Sequence, residues 1–204
     1  MKSTLISAKK ALDKKLSESD TLSPIAREGK ILSDRSIALY HSGKRAEGRA
    51  LLLNAGKKIS ILKGALRKNP SIYYSSFPVQ LAFQEYSEAL IFFSVSERGR
   101  FPELEGIPPE AVLLGLADSI GEINRAYLEA RISGDEKRTL MLADCARQVG
   151  EFFSEFDYPD FVVPSFRHKK DFVRGILNSI LSAEAREAPR NFEEKERKSK
   201  ERKD

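Results

Sequence analysis

Apolar residues recur along most of the chain at spacings of three and four, a pattern that predicts helix nearly throughout. Ser23 and Pro24 suit an N-cap and first turn, so they divide a first helix, about 3–18, from a second that ends near Gly43. Pro70 disfavours helical geometry at the residue before it and predicts that a third helix, about 46–68, ends there. No segment alternates with the period of a strand.

The fourth predicted helix, about 79–97, is apolar around nearly its whole circumference, which is typical of a helix at the centre of a bundle. Prolines 108 and 109 introduce a fifth helix, and two further helices follow, about 136–156 and 166–185. We therefore predict an all-α fold, an antiparallel bundle of about seven helices forming a single domain over residues 1–187. Residues 188–204 are highly charged and predict a disordered tail.

Composition narrows the class of protein. A length of 204 residues with 41% hydrophobic content suits one domain with a substantial core. The one cysteine, Cys145, excludes an internal disulfide framework, fits a cytoplasmic location and is predicted to be a small buried apolar residue. Two histidines, His41 and His168, leave little for a zinc site and are predicted to be surface or cap residues. No stretch approaches the roughly 20 apolar residues of a membrane span, and no targeting signal is evident.

The net charge of +5 is unevenly distributed. Residues 1–70 carry a balance of +10, residues 71–187 of −7 and residues 188–204 of +2. A basic surface favours a polyanion, because Lys and Arg displace counterions from phosphates. An ordinary solvated surface is the alternative interpretation of such a basic stripe. The predicted phosphate contacts are two pairs of neighbours on the second and third helices, Arg27 with Lys30 and Lys63 with Arg67.

Two acidic pairs lie inside apolar helical runs. Glu85 and Glu88 share a stripe of the fourth helix, and Asp118 and Glu122 stand four apart on the fifth, near glycines that would let another helix approach. A buried carboxylate costs a few kcal/mol unless it gains a cation, a hydrogen bond or a raised pKa. The four acids could therefore converge on one site. Ion pairs with Arg125 or Arg147 are the alternative.

Carboxylates are hard oxygen donors that suit Mg²⁺ or Mn²⁺. One or two such ions can make an attacking water more acidic, stabilise a leaving oxygen and neutralise the charge of a phosphodiester under attack. Hydrolysis of RNA at such a site would leave a 5′ phosphate. A metal-independent route would use paired histidines, which the sequence does not offer.

The segments FQEYSEALIFF, LLGLADSIGEINRAYL, RQVGEFFSEFDYP and RHKKDFVRGILNSI resemble the translin family, specifically its TRAX branch in an archaeal-type form. The resemblance covers about residues 20–185 and implies a seven-helix subunit of a hollow octamer that encloses RNA or single-stranded DNA. It also implies RNA cleavage with Mg²⁺ as cofactor. The intact QEYxEA block, 84–89, and ADxxGE block, 117–122, imply that Glu85, Glu88 and Asp118 are catalytic metal ligands, with Glu122 as a fourth ligand.

These observations favour a metal-dependent endoribonuclease acting on single-stranded or partly duplex RNA in a homo-oligomer, with an octamer expected. Two alternatives remain open. One is a catalytically silent, translin-type protein that binds single-stranded nucleic acid, and the other is a helical scaffold whose acids are only ion-paired. Three aromatic residues before the fourth helix could stack on bases or pack into the bundle, namely Tyr73, Tyr74 and Phe77.

Overall fold

The computed structural model of the chain describes the backbone of residues 2–200 and the side chains of residues 2–186. Within that range the regular elements are all α-helical, as predicted, and seven in number. They are α1 Lys2–His41, α2 Arg45–Lys68, α3 Ser71–Ser75, α4 Phe77–Arg98, α5 Pro109–Ile132, α6 Glu136–Glu155 and α7 Phe166–Lys200. None of the described helices is both long and apolar enough to cross a bilayer.

The chain divides into two compact units, one ending at Glu122 and the other beginning at Ile123, so the division falls within α5. The first unit contains α1 to α4 and the start of α5. In the second unit α6 packs on α7, with Phe153 stacked on Phe166 and Cys145 buried as predicted. The single domain over residues 1–187 stays a prediction, and the tail predicted over residues 188–204 lies outside the described side chains.

The first two predicted helices are one continuous helix, α1, so the predicted break at Ser23 and Pro24 is wrong. A proline inside a helix removes one backbone hydrogen bond and usually costs about 3 kcal/mol. Here Leu22 and Ala26, on either side of Pro24, are buried in the same apolar cluster as Ile59 of α2. Burial of this continuous face offsets the cost and keeps the helix intact. The described helices still number seven, because the short α3 forms in a segment that was expected to be a connection.

Helix α4 is the centre of the first unit, as its apolar circumference predicted. It contacts α1, α2 and α3, and it contributes ten buried residues: Val79, Ala82, Phe83, Ser87, Ala89, Ile91, Phe92, Phe93, Val95 and Ser96. A helix surrounded in this way has little freedom to shift, so it is a rigid support for polar side chains placed on it.

The antiparallel pairing holds for α2 against both of its long neighbours. The start of α2 meets the end of α4 through an ion pair of 2.7 Å between Arg49 and Glu97. Farther along α2, Lys58 pairs with Glu28 of α1, also at 2.7 Å. Because both neighbours run against α2, α1 and α4 run in the same direction as each other.

Helices α4 and α5 also run in the same direction. This parallel pair differs from the antiparallel arrangement that was predicted for neighbouring helices. Tyr74, just before α4, donates a hydrogen bond to Glu110 at the start of α5, and Gln84 donates one to Asp118, about two turns farther along α5. The connection over residues 99–108 must therefore return along the bundle. Lys63 of α2 holds it by donating a hydrogen bond of 2.6 Å to the carbonyl of Glu105.

Gly48 lets α2 approach α1 closely, and its substitution provides a test of the packing. A Cβ at this position would lie 2.7 Å from the carbonyl oxygen of Ser36 and 3.2 Å from the ring of Phe93. We expect Gly48→Ala to lower the free energy of unfolding by about 1–3 kcal/mol, because the helices must separate.

The matched control is Gly64→Ala on the same helix, where a Cβ would meet nothing within 4 Å. Alanine is the better helix former by about 0.5–1 kcal/mol, so this variant should be more stable than the unmodified protein. Urea denaturation measures both changes. Equal effects of the two substitutions would contradict the close approach of α1 and α2.

Candidate carboxylate site in the first unit

The first unit brings the two predicted acidic pairs together. Gly115 of α5 packs directly on the α4 backbone, since a Cβ there would lie 2.7 Å from the carbonyl oxygen of Gln84 and 2.9 Å from the amide nitrogen of Glu88. This approach places Asp118 within reach of Gln84, whose Nε2 donates a hydrogen bond of 2.7 Å to Asp118 Oδ2. Gly115, next to the ADxxGE block, therefore lets another helix approach closely, as the sequence suggested.

Glu88 is the most strongly perturbed carboxyl group of the site. Burial, and after it the negative charges of Asp118, Glu85 and Glu122, raise its pKa to about 9. A carboxyl group with such a pKa keeps its proton at neutral pH unless a cation takes the place of the proton. Glu88 therefore lies where negative charge accumulates and positive charge is lacking.

Glu85 has a pKa raised to about 7, first by burial and then by a hydrogen-bonded neighbour, Asp34. The nearby ammonium group of Lys30 lowers the pKa but does not cancel the other two effects. Asp34 lies on α1, and one of its oxygens, Oδ1, is buried and receives no hydrogen bond from a described donor. The two carboxyl groups can satisfy each other only if they share a proton.

Lys30 is the cation closest to this pair. Its Nζ donates a hydrogen bond to Asp34 Oδ2, four residues along α1, and lies 3.8 Å from Glu85 Oε1. Burial lowers the pKa of Lys30, but the Asp34 hydrogen bond and the charges of Glu85 and Glu88 outweigh burial and raise it overall. The residue predicted to contact phosphate from the surface thus faces the acids.

His41 is a further residue that sequence reasoning did not assign to the site. It ends α1, as a cap residue does, but its side chain is only 1% exposed and stacks on the ring of Phe92 at 4.9 Å. His41 Nε2 and Glu122 Oε2 are 2.8 Å apart and hydrogen-bonded. One feature of the sequence could have indicated His41. It lies seven residues after Asp34, a spacing that places both residues on the same side of a helix.

The donor set suits a hard divalent cation, because partly buried carboxylate oxygens dominate it, and burial together with repulsion from the neighbouring carboxylates raises the pKa values of Glu85 and Glu88. In the described part of the chain, however, no three carboxylate, imidazole or thiol groups are arranged to hold one ion together. Arg125 and Arg147, considered above as ion-pair partners, form pairs with Glu129 and Asp144. The residues fit a metal in chemistry, and binding one would require side-chain rotation.

The remaining predicted phosphate contacts lie on the surface of the first unit. Arg27 and Arg67 are exposed. Lys63 is partly buried; burial lowers its pKa, and its Nζ binds the Glu105 carbonyl, so its ammonium group already has one strong acceptor. Together Lys63 and Arg67 line a shallow pocket with Glu105 and Gly106.

A groove of about 830 Å³ between α2 and α4 is distinct from the carboxylate site. Its walls include Leu53, Tyr86, Leu90 and Phe93, with Glu97 as the acidic residue among those that line it. Tyr86 and Leu90 point away from Glu88, since two residues correspond to about 200° around a helix. The groove therefore does not share the face of α4 that carries the acids.

The structure resembles that of AfC3PO in complex with duplex RNA, with a TM-score of 0.78 and 32% sequence identity over 88% of this chain and 93% of that one. The crystal structure of AfC3PO gives a TM-score of 0.77 at the same identity, covering 88% and 94%. The structure of apo-NeC3PO, at 20% identity and a TM-score of 0.73 over 87% and 94%, shares the fold.

Among curated proteins, the uncharacterized protein MJ0175 of Methanocaldococcus jannaschii is 32% identical over 142 residues. The match covers 68% of this chain and 62% of that protein, so the chain spans about three fifths of the length of this relative. No protein-family model matches the chain.

Proposed function

The chain belongs to the translin family, that of the C3PO structures, and from this premise we propose that it binds RNA and hydrolyses it at the carboxylate site with Mg²⁺. Within the family we propose that it is a TRAX-like subunit. One of the structural neighbours at 32% identity is a complex with duplex RNA. Transfer of that ligand class to this chain is part of the proposal.

The excess of acid over base at one place in the first unit supports the proposal most directly. Five carboxylic side chains from three helices influence each other there, and the charges of the other four raise the pKa of Glu88. The basic side chains beside them are Lys30 and His41. A helical scaffold would gain nothing from such a cluster, because each uncompensated buried carboxylate costs free energy.

Each residue has a proposed role. Glu85, Glu88 and Asp118 would hold Mg²⁺, or Mn²⁺ in its place, and Glu122, positioned by His41, would be a fourth ligand or would orient the others. The bound cation would supply Lewis-acid stabilisation of the phosphodiester oxygens and a more acidic water. Lys30 can rotate its ammonium group from Asp34 toward a phosphate oxygen when the carboxyl groups are neutralised. Arg27, Lys63 and Arg67 would contact phosphates outside the site.

The proposed substrate is single-stranded or partly duplex RNA, with single-stranded DNA as a further ligand, and the proposed assembly is a homo-octamer in the cytoplasm. One chain carries both the acidic site and the basic surface residues, so a second kind of subunit is not needed. Four apolar side chains near the start of α1 are 62–64% exposed and provide surface for subunit contacts. They are Leu5, Ile6, Leu12 and Leu16.

A silent binding protein is the second candidate function, and two contacts favour it. Gln84 holds one carboxylate of the site, Asp118, and His41 holds another, Glu122. If these contacts persist when nucleic acid binds, the acids cannot gather around one ion. Turnover distinguishes the two functions.

The test is incubation of the purified protein with end-labelled single-stranded, partly duplex and fully duplex RNA and with matched DNA, in Mg²⁺, Mn²⁺ or EDTA. We expect cleavage of RNA that depends on the divalent ion and leaves 5′ phosphates, and a particle mass near eight subunits. Binding without turnover in either ion would select the silent protein. Cleavage that continues in EDTA would contradict the metal-dependent mechanism, and RNA affinity that does not fall between low and moderate salt would contradict contacts to several phosphates.

A further inference from the structure

The stripe of α4 that carries the acids continues to the first residue of the helix. Phe77, Leu81, Glu85 and Glu88 follow each other at spacings of three and four, so they lie on one side of α4. The side chain of Phe77 is 70% exposed, whereas most of the other aromatic residues of α4 are buried. A large exposed ring on the same side as the carboxylates is a feature that the proposed chemistry at Glu85 and Glu88 does not explain.

A second exposed ring lies three residues before Phe77. Tyr74 is 69% exposed, so its ring is accessible for stacking on a base. Its neighbour Tyr73 is buried, so that ring packs into the bundle. The Tyr74 hydroxyl donates a hydrogen bond of 3.0 Å to Glu110 in the first turn of α5. This bond fixes the ring at the end of the first unit where α4 and α5 both begin.

A cation extends the same surface on α1. Arg27 is exposed and stands three residues before Lys30, on the side of α1 that meets Glu85 through Lys30. Because α1 runs in the same direction as α4, Arg27 is displaced from the acids toward the end at which Phe77 lies. An aromatic ring and a guanidinium group thus flank the carboxylates on one side.

We propose that Phe77, together with the exposed Tyr74 three residues before it, is a stacking site for an unpaired base of the RNA strand whose phosphodiester lies at Glu85 and Glu88. Arg27 contacts a phosphate between the two positions. The inference rests on the proposed function and adds a substrate requirement to it. Aromatic faces and cations that follow a strand are the recognition chemistry of single-stranded nucleic acid, and a base paired in a duplex cannot offer its face in this way.

The helix sets the distance between the stacked base and the cleaved bond. Eight residues separate Phe77 from Glu85, which corresponds to about 12 Å along α4. A stacked strand covers about 3.4 Å per nucleotide, so the unpaired base is expected about three or four nucleotides from the cleaved bond. RNA with unpaired nucleotides at that distance should therefore be a better ligand than a continuous duplex.

The experiment uses the full-length protein in EDTA and single-stranded RNA with one 2-aminopurine placed at successive positions. We expect its fluorescence to change on binding at one or two adjacent positions. Phe77→Ala should abolish that change and weaken single-strand binding about tenfold or more, with little effect on duplex binding. Phe77→Trp should retain the fluorescence change. The matched control is Leu53→Ala, which removes a side chain 66% exposed on α2 and should change neither property.

Two outcomes would overturn the inference. One is a fluorescence change that is the same in the unmodified protein and in Phe77→Ala, or no change at any position although the strand binds. The other is a changed particle mass with unchanged RNA affinity, which would assign Phe77 to a subunit contact. Because stacking is measured in EDTA and cleavage separately in Mg²⁺, stacking in EDTA with no cleavage in Mg²⁺ would refute only the nuclease proposal, and cleavage in Mg²⁺ with no stacking in EDTA would refute only this inference.

Discussion

Replacement of Glu88 by glutamine is expected to abolish RNA cleavage while RNA binding is retained or improved. The substitution preserves the shape of the side chain but removes the carboxylate on which the charges of Asp118, Glu85, Glu122 and Asp34 converge. The loss of several kcal/mol of stabilisation of a hydrolytic transition state corresponds to about a thousandfold or more in rate. Binding in EDTA should not weaken, because Glu88 is protonated there at neutral pH and the substitution exchanges one neutral side chain for another of the same shape.

Glu85→Ala and Asp118→Ala should have the same effect on cleavage, whereas Glu97→Gln is the matched control on α4. Glu97 forms its ion pair with Arg49, away from the site. Single-turnover cleavage rates in Mg²⁺ and dissociation constants in EDTA separate chemistry from binding. Cleavage by a variant lacking Glu85, Glu88 and Asp118 at the rate of the unmodified protein would exclude this site as the nuclease centre.

The stability of the protein in EDTA is expected to fall as the pH rises from about 5 to 9. Glu88 has a pKa of about 9 in the folded state against an ordinary value of 4.5, so across this window the folded protein retains a proton that the unfolded chain has lost. The free energy of unfolding then decreases by up to about 1.4 kcal/mol per pH unit for this group. Its contribution is fully present below pH 4.5 and is lost as the pH passes through 9. Glu85, with a pKa of about 7, adds to the slope up to neutral pH.

Urea denaturation at five pH values measures this slope. Glu88→Gln should flatten it and should be more stable than the unmodified protein at pH 8 to 9, while Glu97→Gln should keep it. Mg²⁺ should oppose the loss at high pH, since a ligand that binds only the folded state stabilises it. A slope that is identical in the unmodified protein and in Glu88→Gln would show that Glu88 does not retain its proton in the folded state.

Much of the first unit could be predicted because the sequence specifies local geometry. The apolar circumference of α4 placed it at the centre, and the three- and four-residue spacings placed Glu85 with Glu88 and Asp118 with Glu122. Both follow from the helical repeat alone. The helix break predicted at Pro24 was wrong. A proline suits the first turn of a helix, but it is also tolerated inside a helix that has a buried face. Only the packing of Leu22 and Ala26 decides between these two positions.

The contribution of α1 to the site could not be predicted in the same way. Lys30, Asp34 and His41 lie more than 40 residues from Glu85, and which helix faces which is a property of the assembled unit. The direction of α5 relative to α4 could not be predicted from the sequence either. A ten-residue connection can join antiparallel neighbours or return along the bundle, and the hydrogen bond from Lys63 to Glu105 that holds the return path involves distant residues.

The common direction of α4 and α5 has a consequence for how the site is held together. Antiparallel neighbours attract through their macrodipoles, whereas a parallel pair brings like partial charges together at both ends. The attachment of these helices therefore depends on specific side-chain contacts, namely Tyr74 with Glu110, Gln84 with Asp118 and the fit of Gly115 against α4. One of these contacts includes a proposed metal ligand. Selection for a tighter helix pair and selection for a more reactive site must accordingly act on the same few residues.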